Sequence, residues 1–495
     1  MELKDIKKIN QRIYELDVDI SRNSKVIFIA TLIFCLTKNK EFQNINKLTS
    51  LVNFTDEKNK PIDQIIDLAK TEIEKLTLSG KTKDAIFNSL KTISGVNTNL
   101  DRDREAFKNF VSDFISKDFV SIKPSDLFLE TLYMEIDKKA ESSDKGVVLT
   151  PIFAAQLMVD LANIDYKKDV VADLCSGTGL FSLLSYSKML SDMDKDLTAK
   201  TITQEEYNKY QRKLYNSIIA NDSEPKMVTL CLANFLLKSL NHSLIYYEDV
   251  LSLQKSSFKI QNEVGKEERI QPTKAILNPP YEDKYKPLEI LEKNIALVKS
   301  DNSKGNKVVV IIPPQKFGQK KDTFSRILNI STLESVIKMQ DDLFTDSGKS
   351  QLASIFVFNV DKPHSKDDKI KYYNFTDTGY VYLKDSGLVD KNHTYEQKKK
   401  ELFDKMSGKA TEKTISEFKR VWTNFYEVNK ELEIETSIDP NRIKSSKEEA
   451  DITLENITIK KMLSEKEELV KSVNNNFKDE DGSFENYIID ILSEV

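Results

Sequence analysis

The 495-residue sequence predicts an α/β protein with a mostly parallel, doubly wound sheet, preceded and followed along the chain by helical regions. Seven short apolar runs lie between residues 169 and 359, and most are separated by segments long enough for a helix. Strands buried on both faces of a sheet are typically continuous apolar runs of this kind. Nine of the twelve prolines also lie between Pro151 and Pro363, whereas the flanks contain Pro61, Pro124 and Pro440.

Each predicted element follows from its local pattern. Residues 1–140 are predicted to be helical because apolar side chains recur at helical spacing, most clearly over 62–76 and 107–115. The predicted strands are 169–174, 217–221, 243–248, 274–278, 307–313, 335–339 and 353–359. Residues 188–213 are charged and are predicted to form a helical insertion. From about residue 380 the sequence is polar and helical again, most clearly over 394–406, 414–433 and 483–495. We therefore predict a helical N-terminal domain over 1–140, an α/β domain over 141–380 and a helical C-terminal extension over 381–495.

The composition favours a globular protein of the reducing cytoplasm. Hydrophobic residues make up 39% of the chain and charged residues 31%, and the longest apolar run, residues 26–36, is too short to span a bilayer. The first ten residues contain no apolar signal-peptide core. Cys35, Cys175 and Cys231 are widely spaced and indicate neither a disulfide framework nor a zinc site, so no metal is expected. The net charge of −5 argues mildly against a chain that coats nucleic acid by itself.

Acidic and small residues follow the first three predicted strands. Asp173, Gly177 and Gly179 lie between the first strand and the next predicted helix, where small residues let the backbone approach a ligand. A tight turn alone would explain those glycines. Asp222 ends the second strand, where a carboxylate can accept two hydrogen bonds from a ribose diol, although Glu224 could take that role. A third acid, Asp249, follows the third strand and could accept a hydrogen bond from an adenine amino group.

The sequence NPPY, residues 278–281, follows the predicted strand 274–278 directly and is the most specific local signal. Two prolines end the strand ladder and hold a rigid, extended turn. A strand terminator would explain the prolines, but not the amide and the large aromatic side chain that flank them. The Asn278 side-chain oxygen and the Pro279 carbonyl suit a planar amino group that donates two hydrogen bonds, and Tyr281 offers a face for base stacking.

The ordered set of segments resembles the N6-adenine DNA methylase family, and most of all the modification (M) subunits of type I restriction–modification systems. These segments are GVVLTP at 146–151, DLCSGTG at 173–179, NDSEP at 221–225, ED at 248–249 and NPPY. The resemblance continues through 307–318 and 341–359, and the segment 125–136 is similar to the helix that precedes the catalytic domain in those subunits. Two departures are DLCSGTG in place of the commoner DPACGTG, and Asp222 where the family usually has Glu.

The resemblance implies the fold and cofactor of a class I S-adenosylmethionine-dependent methyltransferase, with a Rossmann-like, seven-stranded and mostly parallel sheet. Asp222 would bind the cofactor's ribose and Asp249 its adenine. The target base would be served by Asn278, Pro279, Pro280 and Tyr281, with Phe344 as a second stacking face. The other residues implied in cofactor binding are Val147, Val148, Leu149, Thr150, Pro151, Ile152, Asp173, Ser176, Gly177, Thr178, Gly179 and Leu180.

The same resemblance implies the reaction and the partners. The chain is expected to methylate the N6 amino group of adenine in double-stranded DNA, after the base has been flipped out of the helix. No recognition domain is visible after the catalytic region, so a separate specificity (S) subunit is expected to select the DNA sequence. The resemblance further implies two M copies for each S subunit, a restriction (R) subunit as an additional candidate partner, and the C-terminal helices as a subunit contact.

Several alternatives remain open at this point. N4 methylation of cytosine uses the same mechanism, and enzymes that methylate ribosomal RNA or protein glutamine also have NPPY-type turns. A methylase-derived scaffold without catalysis would be expected to have lost Asp222, Asp249 or NPPY. Methylation at C5 of cytosine needs a cysteine nucleophile after a proline, and none of the three cysteines has that context. Asp126 and residues 137–139 loosely resemble a nuclease spacing, but an amphipathic helix explains them better.

Overall fold

The computed structural model describes residues 3–16, 22–56, 58–94, 101–123, 127–137, 149–261, 265–300, 303–314, 316–317, 320–344, 353–365, 368–383, 387–408 and 434–437. The chain divides into two compact units. The first contains residues 1–159 and 163–272, and the second contains residues 160–162 and 273–495. Within the described residues, no helix is both long and apolar enough to cross a membrane.

The first unit begins with a group of helices packed around a buried central helix. Its helices are α1 (Leu3–Glu15), α2 (Arg22–Lys38), α3 (Ile45–Leu51), α4 (Pro61–Glu74), α5 (Gly80–Leu90), α6 (Asp101–Asp113) and α7 (Phe128–Asp137). The apolar run of α2 is buried on every side, which makes α2 the centre of the group. It contacts α4, α5 and α7, and the predicted helical spacing of residues 62–76 is the buried face of α4.

The first unit continues with three parallel strands and their connecting helices. After α8 (Ile152–Leu161) come β1 (Val171–Asp173), α9 (Leu180–Thr198), α10 (Gln204–Tyr215), β2 (Ile218–Asp222), α11 (Pro225–Leu237) and β3 (Ile245–Tyr247). β2 pairs in parallel with β1 and with β3. A hairpin of β4 (Lys259–Gln261) and β5 (Glu267–Arg269) follows. The helix α11 packs against α2 and α5, so the N-terminal helices and these strands share one core.

The second unit contains a mixed β-sheet, a further strand pair and flanking helices. Its elements are β6 (Lys274–Leu277), α12 (Pro287–Val298), β7 (Lys307–Ile312), α13 (Lys321–Leu328), β8 (Thr332–Met339), β9 (Ser354–Asn359), β10 (Lys369–Phe375), β11 (Tyr380–Leu383), β12 (Gly387–Asp390), α14 (Tyr395–Met406) and β13 (Ile434–Ser437). β6 pairs in parallel with β7, and β8 with β10. β9 lies between β7 and β8 and is antiparallel to both.

The predicted fold class is confirmed, and all seven predicted strand segments form strands. The number of strands is wrong, because β10 pairs with β8 and β13 with β10, and neither strand is among the seven apolar runs. Both extra strands carry charged residues, which is why their sequences do not resemble buried strands. The helical prediction from residue 381 onward is wrong for residues 381–383 of β11 and for β12 and β13, although α14 matches the predicted helix over 394–406. The predicted helices over 414–433 and 483–495 lie outside the described residues.

Candidate functional site

The first strand of unit 1 ends in a fully buried acid. Asp173 is the last residue of β1, and its Oδ2 accepts hydrogen bonds from the Ser182 amide (3.1 Å) and hydroxyl (3.0 Å) at the start of α9. Its other oxygen, Oδ1, is buried and accepts no hydrogen bond from the residues that the structure describes. Burial raises the pKa of Asp173 to about 7, although both Ser182 bonds favour the charged form.

The loop that follows β1 depends on two glycines in left-handed conformations. Gly177 has φ +52° and Gly179 has φ +93°, which residues with a Cβ adopt only with strain. A Cβ on Gly179 would lie 3.1 Å from Cys231 Sγ, so this glycine also permits close packing of the loop against α11. A Cβ on Gly177 would meet no atom within 4 Å, so the backbone there borders open space. The loop therefore leaves room for a ligand beside Gly177.

Asp222 connects the second strand to this loop. It ends β2, and its Oδ2 accepts a 2.8 Å hydrogen bond from the Gly177 amide. Its Oδ1 accepts a 2.9 Å bond from the Glu224 amide at the start of α11. Each carboxylate oxygen can accept a second hydrogen bond, so these contacts orient Asp222 without using up its capacity to bind a diol. Burial raises the pKa of Asp222 to about 6, while the bonds from both amides act in the opposite direction.

The two other acids considered near these strands lie in different settings. Asp249 is exposed two residues after β3, and its side chain accepts a 2.9 Å bond from the Leu251 amide, which caps a short 3₁₀ turn. This bond occupies part of the acceptor capacity of Asp249, which the sequence analysis assigned to adenine. Glu224, the alternative to Asp222 for the ribose, is exposed at the start of α11 and makes no side-chain capping bond there.

Asn221 joins the ends of all three strands, a role that the sequence analysis did not identify. Its Nδ2 donates to the Leu174 carbonyl after β1 and to the Glu248 carbonyl after β3, both at 3.1 Å. Its Oδ1 accepts a 3.1 Å bond from the Glu248 amide. The available sequence signal was a polar residue at the end of an apolar strand and directly before Asp222, because polar side chains in such buried positions are normally hydrogen-bonded.

Glu130 on α7 is a second residue that the sequence analysis missed. It is 1% exposed, and its carboxyl accepts a hydrogen bond from the Thr178 hydroxyl in the loop after β1. Asn234 on α11 donates a 2.8 Å bond to the Thr178 carbonyl, so this loop residue is held from two elements. Burial, together with the nearby negative charge of Asp173, raises the pKa of Glu130 to about 8.

The residues implied upstream of β1 lie next to the start of α8. Thr150 is buried, and the Pro151 carbonyl accepts a 3.0 Å bond from the Ala155 amide, so Ile152 begins the helix. Leu149 is half-buried. Val147 and Val148 lie outside the described residues. Within the loop after β1, Ser176 and Leu180 are buried, and the Ser176 amide donates to the Asn221 carbonyl at 2.9 Å.

In the second unit, the NPPY turn directly follows β6. The amide oxygen of Asn278 is buried, and Pro279 is buried while Pro280 is half-buried. Tyr281 is 5% exposed, and its hydroxyl donates a 3.4 Å hydrogen bond to the Ile311 carbonyl of β7. Burial raises the pKa of Tyr281 well above its usual range, so this tyrosine stays neutral near pH 7. The turn thus presents amide, carbonyl and aromatic groups, with no group that ionises near neutral pH.

Tyr281 and Phe344 contact each other in the second unit. Their ring centroids are 5.9 Å apart, with an interplanar angle of 75°, which is an edge-to-face contact. Phe344 is 1% exposed. The resemblance to the methylase family predicts that these rings cover opposite faces of a base. In this structure they lie against each other, so a base could stack between them only after one ring had moved.

Comparison with known proteins identifies both a family and similar folds. A family model described as N-6 DNA methylase matches residues 129–442. The type II restriction enzyme and methyltransferase RM.BcgI of Heyndrickxia coagulans is 26% identical over 313 residues, which is 60% of this chain and 45% of that protein. The chain thus spans less than half of the length of this relative.

Two solved structures resemble the fold at low sequence identity. A chain of a type I restriction–modification system matches with a TM-score of 0.55 and 15% identity, covering 99% of this chain and 98% of that one. A modification subunit of a type I restriction enzyme from Vibrio vulnificus YJ016 matches with a TM-score of 0.50 and 13% identity, covering 84% and 93%. At these identities the likeness is one of fold.

Proposed function

The chain belongs to the N-6 DNA methylase family, and on this premise we propose that it transfers the methyl group of S-adenosylmethionine to the N6 amino group of adenine in DNA. We propose further that it is the modification subunit of a restriction–modification system. The observation that carries the proposal is the family match over residues 129–442, which includes the loop after β1, Asp222 and the whole NPPY turn. The alternative reaction, N4 methylation of cytosine, would use the same groups.

The residues at the strand ends of unit 1 fit S-adenosylmethionine. The cofactor carries a sulfonium, an ammonium group and a ribose diol, and each of these is favoured by neighbouring carboxylates. Asp173 offers a buried oxygen that accepts no hydrogen bond from the described residues, and Asp222 is held in place by two backbone amides. The open space beside Gly177 allows the cofactor to approach the loop backbone. Thr150 and Pro151 would hold the methionine part, and Asp249 the adenine.

The NPPY turn would activate the target amino group. The lone pair of the adenine N6 nitrogen is delocalised into the ring, which makes the nitrogen a poor nucleophile. The Asn278 amide oxygen and the Pro279 carbonyl would each accept one of its hydrogens and favour the pyramidal geometry that frees the lone pair. The cofactor, when bound, would supply an activated methyl group. The nitrogen lone pair would bond to the methyl carbon as the carbon–sulfur bond breaks in line, and the methylated nitrogen would then release one proton to solvent. The contribution of the protein is then positioning and electrostatics, without a strong base.

The target base must leave the DNA duplex before it can reach this turn. Flipping a base out costs about a few kcal/mol of stacking and pairing energy. Tyr281 would repay part of this cost by stacking on the extrahelical base, with Phe344 as a candidate for the other face. Because the two rings contact each other in the second unit, we propose that the base enters by separating them.

We propose that a separate specificity subunit selects the DNA sequence. The similar solved chains come from type I restriction–modification systems, which supports a multi-subunit assembly for this chain as well. The net charge of −5 also favours a partner that supplies part of the positive charge needed to hold DNA. We propose two copies of this chain for each specificity subunit, with the residues after 380 as a contact and a restriction subunit as a further partner.

The proposal is tested by mapping methylated bases in the DNA of cells that express this chain with and without its neighbouring genes. We expect N6-methyladenine at one defined sequence when the neighbouring genes are present, and little site-specific methylation with the chain alone. N4-methylcytosine at a defined sequence would show that the target base is cytosine and not adenine. Methylated RNA or protein glutamine with unmodified DNA would reject a DNA methylase. Robust site-specific methylation by the chain alone would reject the separate specificity subunit.

A further inference from the structure

The helix α7 precedes the strands of unit 1 in the chain, and it contacts the loop after β1, which is proposed above to bind the cofactor. Glu130, on the first turn of α7, accepts a hydrogen bond from the hydroxyl of Thr178, and this loop residue follows Gly177, whose amide donates to Asp222. Tyr133 lies three positions after Glu130 on the same helix face, and its ring is 4.7 Å from the Lys226 ammonium at the start of α11. One face of α7 therefore contacts the loop after β1 and the helix that follows β2.

The environment of Glu130 is acidic and buried. Glu130 is 1% exposed and Asp173 is fully buried, and the charge of Asp173 acts directly on Glu130. No ion pair joins either carboxyl to a cation among the described residues. Burying two carboxyls without a cation is unfavourable when they are charged, so each binds a proton more tightly than usual. A cationic ligand placed beside them would relieve this cost.

Three cations on helices that contact α7 are engaged by groups other than Glu130. Arg12 of α1 pairs with Asp118, and the Lys25 ammonium of α2 lies 3.6 Å from the centre of the Tyr14 ring. Lys226 of α11 contacts Tyr133. Asp222 adds a further negative charge, because it acts on the neighbouring Asp173. The charge that acts on Glu130 is that of Asp173, and it is negative.

We infer that Glu130 is a positioning residue of the cofactor site, which holds Thr178 and the loop after β1 and places a carboxyl where the cofactor's positive charge favours its ionised form. The inference rests on the proposed function, since it takes S-adenosylmethionine as the ligand. It assigns a role in cofactor binding to a helix that precedes the α/β sheet. The role has two separable parts, the hydrogen bond to Thr178 and the negative charge.

Two substitutions at Glu130 separate these parts. Glu130→Gln keeps an oxygen that can accept the Thr178 hydrogen bond and removes the charge, whereas Glu130→Ala removes both. The pKa of Glu130, about 8, means that the wild-type carboxyl is mostly protonated at pH 6.5 and mostly charged at pH 9. Glu130→Gln should therefore resemble the wild type at pH 6.5 and bind the cofactor more weakly at pH 9. Glu130→Ala should bind it more weakly at both pH values.

The measurement is calorimetric titration of the full chain with S-adenosylmethionine at pH 6.5 and pH 9. We expect Glu130→Gln to bind within about threefold of the wild type at pH 6.5 and about tenfold more weakly at pH 9. Glu130→Ala should bind about tenfold more weakly at both. Thr178→Val removes the hydroxyl from the other side and should weaken binding as Glu130→Ala does at pH 6.5. The matched control is Glu72→Gln, a buried carboxyl on α4 paired with Lys75 at 2.9 Å, which should leave both affinities unchanged.

The outcomes separate this inference from the proposed function. A wild-type chain that does not bind S-adenosylmethionine rejects the proposed function. If the wild type binds, equal affinities of Glu130→Gln and wild type at both pH values would show that the negative charge of Glu130 plays no part in cofactor binding. A wild-type affinity for Thr178→Val would show the same for the hydrogen bond between Thr178 and Glu130. Should Glu130→Ala fail to fold, Glu130→Gln and Thr178→Val decide the question alone. If Glu72→Gln loses as much cofactor affinity as Glu130→Gln, the inference is also overturned, since the loss of any buried carboxyl would then have the same effect.

Discussion

The strand ends of unit 1 and the NPPY turn of unit 2 are built from opposite kinds of groups. At the ends of β1 and β2, Asp173 and Asp222 are carboxyls whose pKa values burial raises to about 7 and about 6. At the end of β6, the turn contains an amide, two prolines and Tyr281, whose pKa burial raises well above neutral. The strand ends of unit 1 therefore change their charge near neutral pH, whereas the NPPY turn stays uncharged over the same pH range.

This difference matches the two substrates of the proposed reaction. S-adenosylmethionine is a cation, and carboxyls that are protonated when it is absent can release protons when it binds. Adenine is neutral, and its amino group needs acceptors at fixed positions more than it needs charge. Substitutions in unit 1 should therefore change cofactor affinity, and substitutions in the turn should change methyl transfer. The predictions below test this division.

The largest expected effect is the loss of methyl transfer when Asn278 is replaced. Asn278→Ala removes the amide oxygen that would accept a hydrogen from the target amino group, and we expect methyl transfer to fall about 100-fold or more. Cofactor affinity should stay at the wild-type value. Methylated-base sequencing in cells measures the first quantity and calorimetry on the purified chain measures the second. A parallel loss of cofactor binding would break the division between the two regions.

Asp222→Ala is expected to weaken cofactor binding by about tenfold to 100-fold, because it removes a charged hydrogen-bond acceptor. Asp222→Asn is the matched variant, since it keeps one oxygen and loses the charge. It should bind with an affinity between those of the wild type and Asp222→Ala. Calorimetry measures the affinity of each variant for S-adenosylmethionine. An unchanged affinity in Asp222→Ala would contradict the ribose contact of Asp222 and make Glu224 the candidate for it.

Tyr281→Ala should lower the methylation rate by about tenfold, because stacking on an extrahelical base is worth about 1–3 kcal/mol. Phe344→Ala should resemble it. Tyr281→Phe keeps the ring and loses only the 3.4 Å hydrogen bond to the Ile311 carbonyl, so its rate should be close to that of the wild type. Base flipping is followed by the fluorescence of 2-aminopurine at the target position.

A purely structural role for these rings predicts a different result. Tyr281 and Phe344 contact each other edge to face, and such a pair contributes about 0.5–1.5 kcal/mol. Lower melting temperatures for both alanine variants, together with normal base flipping and methylation, would show that the two rings only pack. The site for the flipped base would then lie elsewhere.

The smallest expected effect is that of pH on methyl transfer. Between pH 6 and 8 the carboxyls of Asp173 and Asp222 lose their protons, and a bound cation favours the charged forms. The KM for the cofactor should therefore fall about threefold to tenfold as the pH rises. At saturating cofactor, kcat should change by about twofold or less, because the groups of the NPPY turn do not titrate in this range.

The same carboxyls give the folding stability the opposite dependence on pH when no cofactor is bound. A carboxyl whose pKa is raised in the folded state stabilises the fold below its unfolded pKa and loses that contribution as the pH rises through the folded value. The melting temperature without cofactor should thus decrease from about pH 5 to pH 8, as these groups ionise. Saturating S-adenosylmethionine should reduce this decrease, and calorimetric melting curves measure both.

The family, the strand segments and the order of the motifs could all be predicted from the sequence. These are properties of short stretches and of their order along the chain. A strand that is buried on both faces, such as residues 308–312, is continuously apolar whichever strands flank it. The turn after β6 was also visible, since two prolines end a strand through their own geometry. The strands β10 and β13 escaped notice because charged residues interrupt them.

Contacts between residues that are distant in the sequence could not be predicted and became visible in the folded chain. Glu130 lies 48 positions before Thr178, and no local pattern indicates that a glutamate on an amphipathic helix will be bonded to a loop after β1. The three hydrogen bonds of Asn221 likewise depend on β1, β2 and β3 ending side by side. Long-range packing also determined that Tyr281 lies against Phe344. Burial and hydrogen-bond partners result from packing between segments far apart in the chain, and the physical chemistry of each segment alone does not specify them.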